Sequence, residues 1–236
     1  MTHAPTPDAK HTSPAHLTNL ARTTWDTIGG GADRLVTPDS PAFTCQPNLC
    51  DSMCCRAPYT ASVSIWDIEA LERQHLDAAQ FLAIGASSAP HPATVHRDRP
   101  GYKREEHRST LWWLDQPTDE RCTFLGSDGG CSVYDARPNG CAQYPHSLVF
   151  TPIDSPKLVA RHSDIEALDL AVRIAAGAAV GAAAYVPLVL RDTACPGFTG
   201  PPIGRNAYQR LLLELWDWGA CFDSNQPCER HPHPTT

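Results

Sequence analysis

Cysteine is the residue type through which this sequence could do chemistry, because eight of its ten cysteines fall in turn-like segments. The segment CQPNLCDSMCC, residues 45–55, holds four, and CTFLGSDGGCSVYDARPNGCAQYP, residues 122–145, holds three. One more begins the motif CPG at residue 195. Thiolates bind Zn²⁺ and the irons of iron–sulfur clusters, and four convergent thiolates complete either site. The eight candidate ligands are Cys45, Cys50, Cys54, Cys55, Cys122, Cys131, Cys141 and Cys195.

The spacing of these cysteines leaves the metal open. No interval is the C-x₂-C pair of zinc ribbons or the C-x₂-C-x₂-C run of bacterial ferredoxins. Eight thiolates suit one [4Fe–4S] cluster with further ligands or two four-thiolate sites, and a zinc site that only cross-links the fold is the alternative. The two remaining cysteines, Cys221 and Cys228, lie at the end of the last predicted helix and in the tail. They fit inert thiols better, and their role stays open.

The compartment bears on whether the thiols stay reduced. The first residues, MTHAPTPDAKHTSPAH, lack the apolar run of a signal peptide, so we expect a cytoplasmic protein. In the cytosol clustered cysteines are more often metal ligands than disulfides. A chain of 236 residues can also bury a core without covalent cross-links.

Net charge and hydropathy restrict the classes of partner that we expect for this protein. The formal net charge of −7 argues against a nucleic-acid backbone as partner. The apolar stretch 174–190 is rich in Ala and Gly and contains Pro187, which predicts a buried helix and no membrane span. We therefore expect a metal ion or cluster as the partner, with no nucleic acid and no membrane, and a protein partner stays unidentified.

A few residues near the cysteines could support a metal site. Arg137 could neutralise the charge of a thiolate cluster, or be an ordinary surface residue. Tyr134, Tyr144 and Pro145 could exclude water from the cluster, or be plain core. His146 is the histidine nearest the thiols that we would test. The sequence has no G-x-S-x-G, H-E-x-x-H or P-loop motif, and eight clustered thiols are a poor setting for one nucleophilic cysteine.

Composition divides the chain into three predicted regions. Residues 1–40 are rich in Pro, Thr, His and Gly and predict a disordered N-terminal arm with one short helix near LTNLARTTWDTI. Residues 41–222 form the predicted cysteine-cluster domain, and residues 223–236 a flexible tail. The polar stretch 86–108 predicts a surface loop that could act as a lid.

Hydrophobic patterning predicts short strands and several helices. ASVSIWDIEALERQHLDAAQFL predicts a strand running into a helix capped by Ser64, and STLWWLDQ predicts a buried strand. LVFTPI and LVARH predict a hairpin, Ser163 caps a helix that runs through EALDLAVRIAAGAAVGAAA, and CPGFTGPPIG predicts a loop. NAYQRLLLELWDWG predicts an amphipathic helix. We expect an α+β fold, a small irregular domain centred on the metal site.

The three cysteine segments together resemble the CxxCxxCC cysteine-cluster family, often called YkgJ-like and described as zinc- or iron-chelating. The resemblance covers about residues 43–200. It is most specific in the middle segment, where C-x-F-L, C-S-V-Y-D-x-R-P and C-x-x-Y-P follow in order. It implies metal binding by the eight cysteines named above.

The first cysteine segment departs from the spacing that names the family. Four and three residues separate its first three cysteines, where the short form has two and two. This longer form is similar to the motif of the flagellin lysine N-methylases, a related group of longer enzymes that use an iron–sulfur cluster and S-adenosylmethionine. No residues here match a methyl-donor or lysine site, so the resemblance does not carry the methylase activity over.

Three hypotheses follow for function. The first is a cytoplasmic metal-binding protein that holds zinc or an iron–sulfur cluster through eight thiolates. The second is an iron–sulfur-dependent modifying enzyme for methyl or redox transfer, with S-adenosylmethionine as a further cofactor. The third is a carrier or chaperone that delivers its metal to a partner, which predicts labile metal.

Overall fold

The computed structural model describes residues 12–56, 61–63, 65–85, 111–114, 121–159 and 164–224. The chain forms two compact units. The first unit comprises Met1–Thr44 and Pro145–Asp217, and the second comprises Cys45–Tyr144 and Trp218–Thr236. Both combine helices with small antiparallel sheets, which confirms the predicted α+β class. The predicted cysteine-cluster domain over residues 41–222 therefore spans parts of both units.

The first unit is built on a three-stranded sheet with the order β1-β7-β6 and a two-stranded sheet of β2 and β8. Helix α7 continues past the end of this unit at Asp217. Elements are numbered along the whole chain. Those of the first unit are α1 (Pro14–Thr27), β1 (Leu35–Val36), β2 (Pro41–Phe43), β6 (His146–Pro152), α6 (Ile165–Ala175), β7 (Tyr185–Arg191), β8 (Phe198–Pro202) and α7 (Arg205–Ser224).

Composition predicted that residues 1–40 are disordered apart from one short helix near LTNLARTTWDTI. Helix α1 lies at the position of that short helix. The side chain of Ser13 accepts a hydrogen bond from the backbone N–H of His16, which caps the helix. Leu17, Ala21 and Trp25, one turn apart, are buried in the core of the first unit. Residues 12–40 are therefore an ordered part of this unit, and residues 1–11 lie outside the described residues.

The apolar stretch 174–190 corrects a second expectation, since it is not a helix. Helix α6 ends at Ala175, and Gly177 adopts a φ of +73° that ordinary residues avoid. Strand β7 begins at Tyr185 and lies between β1 and β6, with every residue from Val186 to Leu190 buried. A strand buried on both faces reads as a continuous apolar run, which periodicity cannot distinguish from a buried helix. Among the described helices, none combines the length and the apolar composition that crossing a membrane requires.

The start of α6 and the segment CPGFTGPPIG also differ from prediction. The N-cap of α6 is Asp164, whose carboxylate accepts from the N–H of Ala167, and the predicted cap Ser163 lies outside the described residues. Part of CPGFTGPPIG is strand β8, which pairs with β2. Gly197 permits this approach, because a Cβ there would lie 2.5 Å from the carbonyl oxygen of Thr44.

The last helix agrees with the structure, whereas the predicted hairpin of LVFTPI and LVARH is represented by one isolated bridge, since β6 pairs along its length with β7 and residues 160–163 lie outside the described residues. The backbone N–H of Val159 donates to the carbonyl of Phe150 in β6, which brings the two halves of the hairpin together. Helix α7 covers the predicted amphipathic segment, and its Leu212, Leu215 and Trp216 are buried.

The second unit holds the two dense cysteine segments, with a three-stranded antiparallel sheet in the order β3-β5-β4. The strand-to-helix step within residues 61–82 and the strand within residues 109–116 agree with prediction where these are described. The single helix predicted over residues 61–82 is divided into two, and a strand that was not predicted begins at Leu82. Ser64, the loop 86–108 and the tail from residue 225 lie outside the described residues. The elements are α2 (Pro47–Cys50), β3 (Ser62–Val63), α3 (Ile65–Glu72), α4 (Ala78–Phe81), β4 (Leu82–Gly85), β5 (Leu111–Leu114) and α5 (Asn139–Gln143).

A small apolar core lies beneath these cysteine segments. Its buried members are Val63, Ile68, Leu71, Phe81 and Phe124. Three cysteines pack against this core as partly buried residues: Cys122, Cys131 and Cys141. The core thus gathers into one place thiols that are up to 19 positions apart in the sequence.

Candidate metal centre

The first cysteine segment is a sequence of tight turns. Helix α2 ends at Cys50, and Asp51 and Ser52 then take left-handed conformations with φ of 49° and 53°. Two consecutive left-handed residues reverse the chain sharply, at a cost in backbone strain that the surrounding contacts must offset. A 3₁₀ turn follows, and within it the Sγ atoms of Cys54 and Cys55 are 3.9 Å apart.

The second cysteine segment folds as a narrow hairpin followed by two short helical turns. Leu125 and Cys131 form an antiparallel bridge, closed by a hydrogen bond from the N–H of Gly126 to the carbonyl of Gly130. A 3₁₀ turn, Tyr134–Ala136, and helix α5 then carry the chain to Cys141. The glycines of the DGG sequence supply the hairpin turn. In the RPNG sequence, Asn139 and Gly140 are the first residues of α5.

Two hydrogen bonds join the two cysteine segments. The backbone N–H of Cys122 donates to the carbonyl of Cys55 at 2.8 Å. The hydroxyl of Ser52, buried to 4% exposure, donates to the carbonyl of Gly129 at 2.7 Å. Gly129 itself has a φ of +80°. We call this second hydrogen bond the Ser52 latch, and it holds the hairpin turn against the first segment.

The latch was missed in the sequence because its partners are 77 positions apart and neither belongs to a motif. A second missed contact has the same character. Asp67 of α3 is fully buried and accepts a hydrogen bond at 2.9 Å from the backbone N–H of Asn139, at the start of the helix that carries Cys141. Long-range contacts of this kind leave no local pattern that sequence analysis can detect.

Burial and mutual repulsion keep the gathered thiols protonated. Burial raises the pKa of Cys122 from 9.0 to about 11, a hydrogen bond at Phe124 lowers it, and the other thiolate charges raise it further. Burial also raises the pKa of Cys131 and of Cys141. For Cys54, a hydrogen bond with Cys55 is the largest cause of a raised pKa, and burial is the next.

Four of these thiols interact with one another in every combination. The charge of Cys54 acts on Cys122, Cys131 and Cys141. Cys131 acts on Cys122, and both act on Cys141. We call this set, Cys54, Cys122, Cys131 and Cys141, the thiol tetrad. Cys55 is the immediate neighbour of the tetrad through its contact with Cys54.

Arg137 is the cation that faces the tetrad. Its charge lowers the pKa of Cys131, against the larger opposing effect of burial. The guanidinium lies 3.8 Å from the centre of the Tyr134 ring and donates to the Tyr134 carbonyl at 3.3 Å, so its position is fixed. Tyr134 is 49% exposed, so it holds this arginine and does not form the predicted apolar shell.

The other predicted site residues are described in their own units. Cys45 is exposed and Cys50 half-buried in the second unit, where the Cys50 thiol donates to the carbonyls of Gln46 and Pro47. Cys195 is half-buried in the first unit, in the turn after β7. His146, also in the first unit, packs edge-on against Phe198 with ring centres 5.4 Å apart.

The tetrad fits a soft metal by its chemistry. Its members are free thiols, the donors that Zn²⁺ and iron–sulfur clusters take. Three of them pack against the small apolar core, and the charge of Arg137 acts on Cys131. The 3.9 Å between the Cys54 and Cys55 sulfurs is close to the ~3.8 Å that separates two corners of a tetrahedron with bonds of about 2.3 Å. Among the described side chains, no group of three or more Cys, His, Asp or Glu is already arranged around a single metal position.

Comparison with known proteins identifies the family. The model of the CxxCxxCC family, described as a "putative zinc- or iron-chelating domain", matches residues 44–169. This is slightly more than half of the chain, and it includes both dense cysteine segments. The searches of curated proteins and of solved structures found no match. The chain therefore belongs to the CxxCxxCC family of cysteine-cluster domains.

Proposed function

We propose that this protein binds a zinc or iron centre through the thiol tetrad. Family membership supplies the class of ligand. The single observation that carries the assignment of residues is that Cys122, Cys131 and Cys141 pack against one small apolar core, and Cys54 raises the pKa of each of them. Four thiolates close together repel one another as anions, and a shared cation offsets this repulsion when they are deprotonated.

A bound metal would offset the free-energy cost of deprotonating these partly buried thiols. Three buried thiols on an apolar core and a fourth hydrogen-bonded to its neighbour resist deprotonation, so without metal they stay neutral. A bound cation would replace this weakly polar cluster with strong metal–sulfur bonds and would link Cys54 to thiols that are 68 or more positions away. Metal binding and folding of the second unit are then coupled.

The remaining four candidate ligands extend this proposal. Cys55 is 3.9 Å from Cys54 and is the fifth thiol within reach of the same ion. With Cys45, Cys50 and Cys195 it completes the predicted set of eight, which would serve a second site or a cluster with further ligands. We keep both arrangements, with zinc and [4Fe–4S] as the competing metals and the cytoplasm as the expected compartment.

Removal of individual ligands tests the assignment. We expect Cys54→Ser and Cys131→Ser to retain metal at least tenfold more weakly than the parent protein during dialysis against a chelator, because each removes one of four bonds. Cys228→Ser is the matched control, since this cysteine lies outside both dense segments. Metal per chain is measured by plasma emission spectrometry. Retention in both tetrad variants equal to that of the control would disprove the assignment.

The same preparations separate the alternative functions. Purified without oxygen, a brown protein with acid-labile sulfide supports a [4Fe–4S] cluster and directs the search to methyl or redox transfer, with S-adenosylmethionine binding measured by calorimetry. A colourless zinc protein that resists the chelator for hours supports a structural site. Zinc that exchanges within minutes supports the carrier hypothesis.

A further inference from the structure

The first unit contains a polar pocket that the metal centre does not account for. It has a volume of about 190 Å³ and is lined by α1, the segment after β1, the end of α6 and the first turn of α7. Its lining is mostly polar, and the side chains that matter here are Thr18, Asn19, Arg22, Arg205, Tyr208 and Gln209. All of them belong to the first unit.

Tyr208 is the buried polar group of this pocket. The residue is 4% exposed, lines the pocket, and has no hydrogen bond from its hydroxyl to any described residue. Burial raises the pKa of the phenol, and the charge of Arg22 partly offsets this, so the hydroxyl is protonated at neutral pH. Because Tyr208 lines the pocket, a ligand that accepts the proton of its hydroxyl would add a hydrogen bond in a mostly buried setting.

Two guanidinium groups give the pocket a positive charge. Arg22 donates to Thr37 at 3.2 Å and pairs with the carboxylate of Asp39. A guanidinium has five N–H donors, so these two contacts fix the group and leave further donors for a ligand. Arg205 is exposed at the first residue of α7, a helix of 20 residues whose N-terminus adds a partial positive charge. With Asp39 as the acid in the lining, the two arginines leave an excess of one positive charge.

We propose that this pocket binds the oxyanion group of a small molecule, a carboxylate or a phosphate, with the Tyr208 hydroxyl and the Arg22 and Arg205 guanidiniums as its donors. The geometry suits such a group, because a buried neutral donor and two cations face one cavity. The volume equals that of roughly six water molecules in the liquid, at about 30 Å³ each, so the ligand is small. The Gln209 amide and the Thr18 hydroxyl can orient the rest of it.

Calorimetric titration of the full chain with inorganic phosphate, and separately with malonate, tests this proposal. We expect saturable binding of at least one probe. Arg205→Gln and Tyr208→Phe should each weaken that binding by about tenfold or more, since each removes a hydrogen bond to a charged group. Arg210→Gln is the matched control, because it removes the same charge from an exposed position of the same helix and Arg210 does not line the pocket.

The outcomes separate the sources of the oxyanion. Binding of phosphate alone supports a phosphorylated ligand, binding of malonate alone supports a carboxylic acid, and binding of both supports the shared chemistry. Thermal unfolding of the variants, which keep the helix and its buried faces, checks that the first unit is folded. No saturable binding of either probe, or equal weakening by Arg205→Gln and Arg210→Gln, would overturn the proposal.

Discussion

The four thiols of the tetrad, in the second unit, lie where their surroundings disfavour the deprotonated, charged form. Burial against Phe124 and its neighbours, together with mutual repulsion, raises the pKa of the tetrad members. One guanidinium, that of Arg137, opposes this for Cys131. In the proposed function, a bound metal cation would supply the positive charge that stabilises these thiolates.

The raised pKa values predict a steep pH dependence of metal affinity. Cys122 stays protonated up to a pH of about 11 in the metal-free protein, so binding must release its proton, and the other tetrad thiols behave likewise. We expect zinc affinity to rise by more than tenfold per pH unit between pH 6.5 and 8.5, measured against a competing chelator. Affinity that does not change with pH would show that the thiols are already ionised.

The raised pKa of Cys122 predicts that the metal-free protein becomes less stable as the pH rises, whereas its metal affinity increases. Since the folded pKa of Cys122 exceeds its ordinary value of 9.0, the stability it contributes is complete below about pH 9 and is lost as pH rises through about 11. Metal-free protein should therefore unfold more readily in alkali, while the metal-bound protein should not. Urea titrations of both forms at pH 8 and pH 10 compare the two effects.

At the scale of elements, the positions of the thiols are set more by turns than by the interiors of helices and strands. The left-handed residues Asp51 and Ser52 reverse the chain just before Cys54 and Cys55. The Ser52 latch holds the hairpin that carries Cys131. Asp67 fixes the start of α5, which carries Cys141. Three of the four tetrad thiols are therefore positioned by a turn or a cap, and Cys122 by its backbone hydrogen bond to Cys55.

Loss of the latch should weaken the second unit. Ser52→Ala removes a buried hydrogen bond and leaves the Gly129 carbonyl without this donor, so we expect a decrease of about 1–3 kcal/mol in the free energy of unfolding. Ser155→Ala, at an exposed position, is the control for the same change of side chain. Urea denaturation gives both values. An unfolding midpoint equal to that of the control would contradict a structural role for the latch.

Local patterns predicted some elements well and others poorly. The strand-to-helix step at β3 and α3 and the amphipathic α7 follow from periodicity and agree with the structure. The strand β7 was mistaken for part of a helix, because burial on both faces removes the alternation that marks a strand. Strand β8 was mistaken for a loop because Pro and Gly suggest turns, and its pairing with β2 depends on a segment at least 155 positions away.

For the site, composition and resemblance identified the cysteines but not their grouping. The eight candidates are plain from the two dense segments and the CPG motif. Which thiols interact depends on a core shared by residues as distant as Val63 and Phe124, and this is a property of the folded chain. The pocket around Tyr208 has no sequence motif, since its lining comes from four separate segments.

At the scale of the whole molecule, the two proposed sites lie in different units. The family match covers the dense cysteine segments of the second unit and continues into the first as far as residue 169. The first unit has the larger apolar core, formed by helices α1, α6 and α7 and the sheet β1-β7-β6, and it holds the anion pocket. The second unit has the smaller core and relies on its thiols, so metal should matter more to its stability.

X-ray absorption at the zinc or iron edge of the purified protein tests the central claim most directly, because it counts the atoms bonded to the metal. The account predicts about four sulfur ligands at about 2.3 Å around each metal atom, with an additional shell of neighbouring irons if the centre is a cluster. Cys228→Ser should give the same spectrum as the parent protein. A first shell of nitrogen and oxygen without sulfur would contradict binding by the thiol tetrad.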